Sequence, residues 1–540
     1  MTPPPESSSA QLTFSNLRAL PGVLLAGAAG LAHGISFVWP IPVWIPLFTV
    51  GLLTAVACAS SPRTGFSAGY VYGLAFHGVA LNWFFTVVRV HGNQPPAVAA
   101  AVLALVVSAA ALFPAAYACA ASILQARGSQ TRALIAAPFI WVALEFAQTH
   151  LPDIGFPWNL LGYAVSGNVA VVQLAALTGI YGLSFLVAAA GAYLAWIILN
   201  LERTRERRVR WPLLVLIAAA GTGISVAGRI VPEPETKHTA VLVQSNLPQA
   251  AFYGRDWIQE HSADLQALEE LSVGSGAKNP GLVIWPEVPA PFYFLDKRFA
   301  EMAERIARNS ASHFLAGVVE WKPDARTAAQ TSGRAAFAPY NSAVLLSAEG
   351  KREFSYDKIH LVAFGEYVPW RRWLSFAGKL LDMVSDFRAG TEPRVGQLPG
   401  GKFGVIICFE AVFPNEVRRF TVSGAELLIN ISNDGWFGRS AAPDQHLEMA
   451  RVRAVENRRW LLRATNTGHT VSVDPYGRIV ARLAPDTRGT LVAPYDFRSD
   501  LTLYVRWGDW FAWMCVVVAV GSLVFGIRGR TEGRQGGKTE

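Results

Sequence analysis

Cys408 closes the run KFGVIICFE, Lys402 to Glu410, in which Val405, Ile406 and Ile407 are β-branched and uninterrupted by charge. Such a run suits a buried strand that delivers a thiol to a sheet edge. Pro414, Asn415 and Glu416 follow and resemble the first turn of a helix. The thiol is therefore expected beside unpaired backbone N–H groups, which lower a thiolate's pKa and hold an oxyanion. A lone cysteine among apolar residues is more often inert packing, so its neighbours must decide. LVIWPE, Leu282 to Glu287, is a second apolar strand that ends in a carboxylate, with Pro286 closing the ladder. YDKIHLVAFGEYVP, Tyr356 to Pro369, sets Lys358 and Glu366 among aromatic and apolar residues. Singly, Glu287 reads as a solvated strand end and Lys358 as a surface lysine or an ion-pair partner. Together they supply a reaction. Glu287 serves as base for the thiol and then for an incoming nucleophile, Lys358 and the Phe409 N–H stabilise a tetrahedral intermediate, and Glu366 balances and orients Lys358.

The elements that must position these groups follow from periodicity. Strands are expected near 239–244, 282–286, 314–320, 341–347, 403–408, 426–431, 469–473, 478–483 and 489–493, with helices near 255–272, 296–309, 413–422 and 445–457. DPYG at 474–477 marks a turn between two strands. The order predicts a layered α/β domain. It has no GxGxxG fingerprint, no P-loop and no Cys/His cluster of metal-ligand spacing. His313, His360, His446 and His469 are scattered and read as hydrogen-bonding residues, so neither a cofactor nor a metal is expected.

The first half of the chain has a different composition. The 540 residues are 52% hydrophobic, with a mean hydropathy of +0.28, too apolar for an ordinary soluble protein. Long apolar runs follow one another from Pro21 to Val231, whereas Pro232 to Arg506 carries regular charge. Met1 to Asn16 lacks the features of a removable signal peptide, so the first apolar run is expected to remain as an anchor. Spans are expected near 21–39, 42–60, 66–88, 97–120, 134–151, 179–200, 211–231 and 507–527, each about the 17 to 25 residues a bilayer needs. The run 168–201 is long enough for its beginning to lie along the interface. Arginines at 203–210, Arg127 with Arg132, and the tail residues Arg528, Arg530, Arg534 and Lys538 all fall on one side of an eight-span bundle with a cytoplasmic N-terminus. The expected division is a cytoplasmic segment 1–20, a seven-helix membrane domain 21–231, an exported catalytic domain 232–506, a last span 507–527 and a basic cytoplasmic tail 528–540. The net charge of +8 is thus largely topological, and no nucleic-acid partner is expected. Cys58, Cys119 and Cys515 fall inside spans. Cys408 is left alone in the exported domain, where a single thiol kept in an oxidising compartment is a candidate nucleophile.

Glu287 at the end of LVIWPE, Lys358 in DKIHL and Cys408 in ICFE, with NISNDGWFG at 430–438, occur in the order and strand contexts of the nitrilase superfamily, which the exported domain resembles. With the spans, and with GFPWNLLGY at 155–163, VQSNLPQ at 243–249, Asn341 in YNS, HLVAFGEYVP and PDQHLEMARVRAVE at 443–456, nearly the whole chain resembles the apolipoprotein N-acyltransferases. The resemblance implies a multi-span α-helical membrane domain plus an extracytoplasmic α/β nitrilase-like αββα sandwich, held in the bacterial inner membrane with the sandwich on the periplasmic side. It implies Glu287 as general base, Lys358 as the cation that stabilises the intermediate and Cys408 as nucleophile, supported by Glu366, Glu410 and Asn341. The implied reaction is a ping-pong transfer. Cys408 takes an acyl chain from a phospholipid, typically phosphatidylethanolamine, and passes it to the α-amino group of the diacylglyceryl-cysteine that begins an apolipoprotein. Three positions depart from the family pattern: Ala363 where proline is common, Phe409 where tyrosine is often found, and Phe252 or Tyr253 in place of a tryptophan assigned to lipid contact. Trp370, Trp373, Leu374 and Phe376, between Arg371, Arg372 and Lys379, form an expected interfacial arm, or else pack on the sheet.

Two other readings compete. A membrane-tethered amidase would use the same triad with water as second nucleophile. A transporter or receptor would use the exported domain only to bind ligand, and predicts buried ionisable residues in the spans. Glu145 is the clearest of these, with Arg89 and His91 near an exported end.

Overall fold

The computed structural model describes residues 19–39, 44–201, 231–248, 256–274, 280–288, 292–323, 337–370 and 386–528. The span expected near 211–231, the arginines at 203–210, Phe252 and Tyr253, the arm residues Arg371 to Lys379 and the tail beyond Arg528 lie outside the described residues.

The apolar runs of the first half fold as helices, the one open-chain structure that satisfies every backbone N–H and C=O within itself. They are α1 (Ala19–Ser36), α2 (Trp44–Cys58), α3 (Pro62–Ala80), α4 (Trp83–Thr86), α5 (Pro96–Arg127), α6 (Gln130–Thr149) and, after three single-turn helices α7 to α9 between Tyr163 and Thr178, α10 (Ile180–Leu199). Ser61 and Ser129 cap α3 and α6 by accepting the Thr64 and Arg132 N–H groups. Among the described residues, α5 and α10 are long and apolar enough to cross a membrane. A third span is formed if α3 and the segment Trp83–His91, bent by 54°, are taken as one. Leu20–Ser36, Ile45–Cys58 and Trp510–Phe525 are apolar but shorter. The span expected near 66–88 is thus bent, and the one expected near 97–120 extends over 32 residues. The beginning of the 168–201 run is set apart from α10 by Gly179, whose φ of +67° a residue with a Cβ rarely adopts.

The second half forms two six-stranded sheets. The first has the order β12-β1-β2-β3-β4-β5, with β1 His238–Gln244, β2 Leu282–Ile284, β3 His313–Pro323, β4 Phe337–Leu346, β5 Arg352–Asp357 and β12 Gly489–Tyr495. The second has the order β11-β10-β9-β8-β7-β6, with β6 Val395–Leu398, β7 Gly401–Ile407, β8 Leu427–Ser432, β9 Trp460–Thr465, β10 Val471–Val473 and β11 Ile479–Arg482. Alternation builds the layers. Ala240 and Leu242 of β1 point into a core shared with Val405, Ile407, Ile429 and Ile431 of the second sheet. Val241 and Val243 point the other way, onto helices that carry Leu265, Leu268, Phe299 and Ile306. Val417 and Phe420 of the helix Pro414–Val422, with Leu447 and Ala454 of the helix Ala442–Asn457, pack against the second sheet. The result is an αββα sandwich.

Three strands were not expected from the sequence: β5, β6 and β9. WLLRAT of β9 is wholly buried, yet it contains Arg463 and follows its helix directly, so its apolar run is broken by a charge that only Asp434, on the turn after β8, makes tolerable.

Bundle and sandwich meet in a third apolar cluster. Trp83, Phe146 and Trp158 from the bundle pack with Val412, Phe413, Met449 and Val452 from the sandwich.

Candidate active site

β2 and β5 of one sheet and β7 of the other deliver Glu287, Lys358 and Cys408 to one place. Glu287 and Lys358 are 6% and 1% exposed. Lys358 Nζ donates to Glu287 Oε1 at 3.2 Å and to Glu366 at 3.0 Å. Asn341 Nδ2 donates to both carboxylates, at 2.8 Å each, and the Val362 N–H donates to Glu366 Oε2 at 2.8 Å. The second oxygen of Glu287 accepts the backbone N–H of Asn433 at 3.0 Å. Burial alone would lower the Lys358 ammonium, but Glu287 and Glu366 outweigh it and hold its pKa above the ordinary lysine range. The cation therefore stays charged where a developing oxyanion can use it.

Cys408 does not end its strand as a plain extension. It has φ +51° and opens a 3-10 turn, Cys408–Val412, which separates the thiol from the helix that begins, as expected, at Pro414. Burial, reinforced by the Glu287 carboxylate and opposed by Lys358 and a hydrogen bond with Ser432, pushes the thiol well above its usual pKa. The direction is opposite to the lowering expected from the neighbouring backbone N–H groups, so a base beside the thiol is needed before the sulfur can act as a nucleophile.

Glu410 does not join the ionic set. Its Oε1 accepts from Tyr356 Oη at 2.6 Å and from the N–H groups of Ile359 at 2.7 Å and His360 at 3.2 Å, while Oε2 accepts from the Ile407 N–H at 2.7 Å. It thereby ties the residues flanking Lys358 to the turn that carries Cys408. Burial raises this carboxyl to about 7, against the pull of the Tyr356 and Ile407 hydrogen bonds.

Sequence reasoning quoted NISNDGWFG and PDQHLEMARVRAVE without assigning their residues. The first supplies the Asn433 N–H to Glu287, and the Ser432 hydroxyl that bonds Asp434 Oδ1 at 2.9 Å. The second supplies His446, whose Nε2 pairs with the Cys408 carbonyl at 3.1 Å. Asp434, with Arg463 Nη2 at 2.8 Å from Oδ2, lies behind them, its carboxyl held low because Arg463 overcomes the cost of burial. The signal was present as polar residues in an apolar context, but their partners lie on three different elements.

Phe409 faces the bundle. Its ring stacks at 6.1 Å from Phe156 and 6.3 Å from Trp158, and it meets Phe413 edge-on at 5.2 Å. Trp158 Nε1 donates to Gln445 Oε1 at 2.7 Å, and Gln445 Nε2 donates to the carbonyls of Phe37 and Ala80. The wall beside Cys408 is therefore built from GFPWN of the bundle. His313, His360 and His469 lie near Glu353, Glu416 and Asp444, at 3.6, 2.7 and 2.8 Å.

A two-sheet α/β sandwich with a buried Cys, Lys and Glu at facing strand ends has the nitrilase-superfamily fold, here joined to a bundle of apolar helices. Residues 242–499 match the carbon-nitrogen hydrolase family, and residues 29–193 match the apolipoprotein N-acyltransferase N-terminal domain. The chain belongs to the apolipoprotein N-acyltransferase family. It is 35% identical over 510 residues to the apolipoprotein N-acyltransferase of Geobacter metallireducens, covering 93% of this chain and 95% of that one. It is 31% identical to that of Nitrosomonas europaea, covering 89% and 92%. An amidase from Nesterenkonia sp. of known structure superposes with a TM-score of 0.36 at 19% identity, covering 51% of this chain and 95% of its own.

Proposed function

We propose that this membrane acyltransferase moves an acyl chain from a phospholipid, through a thioester on Cys408, to the α-amino group of an apolipoprotein's N-terminal diacylglyceryl-cysteine. The observation that carries the assignment of the site is the continuity between nucleophile and bundle. The ring next to Cys408 stacks on Phe156 and Trp158, so the thiol lies at the edge of an apolar helical domain that substrates dissolved in water would not require. Family membership favours this reading over the amidase and the transporter.

In the first half-reaction Glu287 takes the Cys408 proton as the sulfur attacks the ester carbonyl, and Lys358 stabilises the oxyanion. The intermediate collapses to the thioester, and Glu287 returns the proton to the departing lysophospholipid alkoxide. In the second, the neutral amine attacks the thioester, Glu287 takes its proton, the C–S bond breaks and the proton returns to the sulfur. Asn341 and Glu366 hold Lys358 and Glu287 in register throughout. Phosphatidylethanolamine is the donor in this reading, and residues 232–506 face the periplasm between spans within 21–231 and 507–527.

The test loads the full chain with phospholipid and adds either buffer or a diacylglyceryl peptide with a free N-terminal amine, followed by intact-protein mass spectrometry. Acyl transfer requires one added acyl mass that hydroxylamine removes, that persists in buffer, and that the peptide discharges as an N-acylated product. Rapid discharge in buffer would instead assign an amidase. An export-dependent reporter fused after Pro232 should be active, and an inactive fusion would overturn the periplasmic placement.

A further inference from the structure

Four buried polar atoms inside the helical bundle have no protein partner: His33 Nε2, His77 Nδ1, Glu145 Oε2 and Asn159 Nδ2, on residues 0, 5, 8 and 6% exposed. They come from α1, α3, α6 and the GFPWNLLGY loop, yet all four residues line one cavity, which Phe76, Trp141 and Trp158 also border. Polar groups at this depth in an apolar bundle are costly unless satisfied. The cavity has room of about 30 Å³ for water-sized molecules. One ordered water needs roughly 10–15 Å³ of such space, so about two fit.

The hydrogen-bonding requirement is specific. His33 Nδ1 pairs with the Tyr72 hydroxyl, which leaves Nε2 as the ring nitrogen to be met from the cavity. Glu145 Oε2 presents lone pairs, and Asn159 Nδ2 presents protons. Small molecules that both donate and accept can meet His33, His77, Glu145 and Asn159 alike, and water does so within the volume.

We infer that this cavity is an ordered-water site that locks the wall of the acyl-transfer site, with Glu145 as its positioning residue. Glu145 Oε1 accepts the Leu161 N–H at 2.7 Å and Trp141 Nε1 at 2.9 Å, the Ser184 hydroxyl also bonds this carboxylate, and Glu145 lines the cavity. Asn159, at φ +56°, lines the same cavity from the loop itself. The water and Glu145 thus grip residues 159 and 161, immediately beyond Trp158, whose ring stacks on Phe409 and whose Nε1 bonds Gln445. Slackening that grip misplaces the surface on which a lipid chain lies and leaves the thiol's own ionic set intact. The inference rests on the acyl-transfer reading for its functional half and on the bundle alone for its structural half.

Two measurements on the full chain in lipid nanodiscs test it. A cryo-EM map that resolves waters should show density within hydrogen-bonding distance of Glu145 Oε2 and Asn159 Nδ2; side chains closed onto one another, or a lipid chain in the cavity, would overturn the site. Thioester formation from phospholipid should slow at least tenfold in Glu145→Leu, whereas alkylation of Cys408 by iodoacetamide should stay within twofold of wild type. Glu145→Gln should recover most of the loading rate, because its amide oxygen accepts the same two N–H groups and its NH2 donates to the water. Asn159→Gly keeps the positive φ, removes the amide, and serves if Glu145→Leu does not fold; it should slow loading with alkylation again unchanged. Loading at the wild-type rate in both variants, or alkylation falling in step with loading, would refute the positioning role. Wild-type protein that is alkylated but never acylated would sink the acyl-transfer reading and leave the water site standing.

Discussion

In the helical bundle, elements approach one another through residues with almost no side chain. A Cβ on Gly69 of α3 would lie 2.3 Å from the Pro114 carbonyl oxygen of α5, and one on Gly30 of α1 would lie 2.1 Å from that of Tyr72. In the sandwich the contacts are made by Val405, Ile407, Ile429 and Ile431, each fully buried between the sheets. The difference follows from the medium. Lipid tails are as apolar as leucine, so helices in a bilayer gain little from hiding large side chains and associate by close backbone contact. A domain in water gains by removing apolar area from it. Buried charge divides in the same way: Glu287, Lys358 and Glu366 satisfy one another in the sandwich, whereas Glu145 in the bundle is closed by backbone, Trp141 and the cavity. The sandwich can therefore carry reactive charge at little cost to its packing, and the bundle tolerates almost no change in shape.

The largest expected effects are in the ionic set. Cys408→Ala should form no acyl-enzyme, while Cys408→Ser should retain little transfer because a hydroxyl ionises far less readily than a thiol. Acylation of lipoprotein at a near wild-type rate by Cys408→Ala would remove Cys408 from the reaction. Lys358→Ala should cost on the order of a hundredfold or more in thioester formation, as deletion of one oxyanion donor does. A loss of only a few-fold, measured by mass spectrometry of the loaded protein, would mean that the oxyanion is held elsewhere.

Changes of shape come next, and they sharpen the contrast. Gly69→Val must separate α3 from α5 at a backbone contact that cannot yield by rotating a side chain, and should cost about 1–3 kcal/mol or more. Ile429→Val in the sandwich core should cost about 0.5–1.5 kcal/mol. Thermal melts in one detergent measure both. A sandwich variant that melts lower than the bundle variant would reverse the comparison.

A pH effect completes the series. The Glu410 carboxyl is raised to about 7 in the folded protein, above its unfolded value, so its contribution favours the fold below about pH 4 and is lost as pH rises through 7. Glu410→Gln should flatten the fall in melting temperature between about pH 4.5 and 7 and lower the melt at every pH, because its NH2 meets an N–H donor that Glu410 now bonds. An unchanged pH slope would show that Glu410 does not titrate across that window.

Local sequence determined much of this protein. Unbroken β-branched runs made β1, β2, β7 and β8 legible because a buried strand needs no information from elsewhere to be apolar, and the long apolar stretches from Pro21 onward announced helices for the same reason. Cys408 and Glu287 could be named because each ends such a run, and Lys358 because it stands among the aromatic and apolar residues of YDKIHLVAFGEYVP. Pairing was decided only in three dimensions. β9 was hidden because Arg463 looks exposed until Asp434, 29 positions away, neutralises it. The direction of the Cys408 shift was misread because the N–H groups nearest in sequence matter less than burial and the Glu287 carboxylate that the opposite sheet brings to it. His33 and His77 gave no signal, since a histidine in an apolar run acquires meaning only when four separate segments bring buried polar residues to the edge of one space. Hydrophobic patterning is written along the chain, whereas the energy of a buried charge or an unpaired hydrogen bond depends on groups that folding alone brings within a few ångströms.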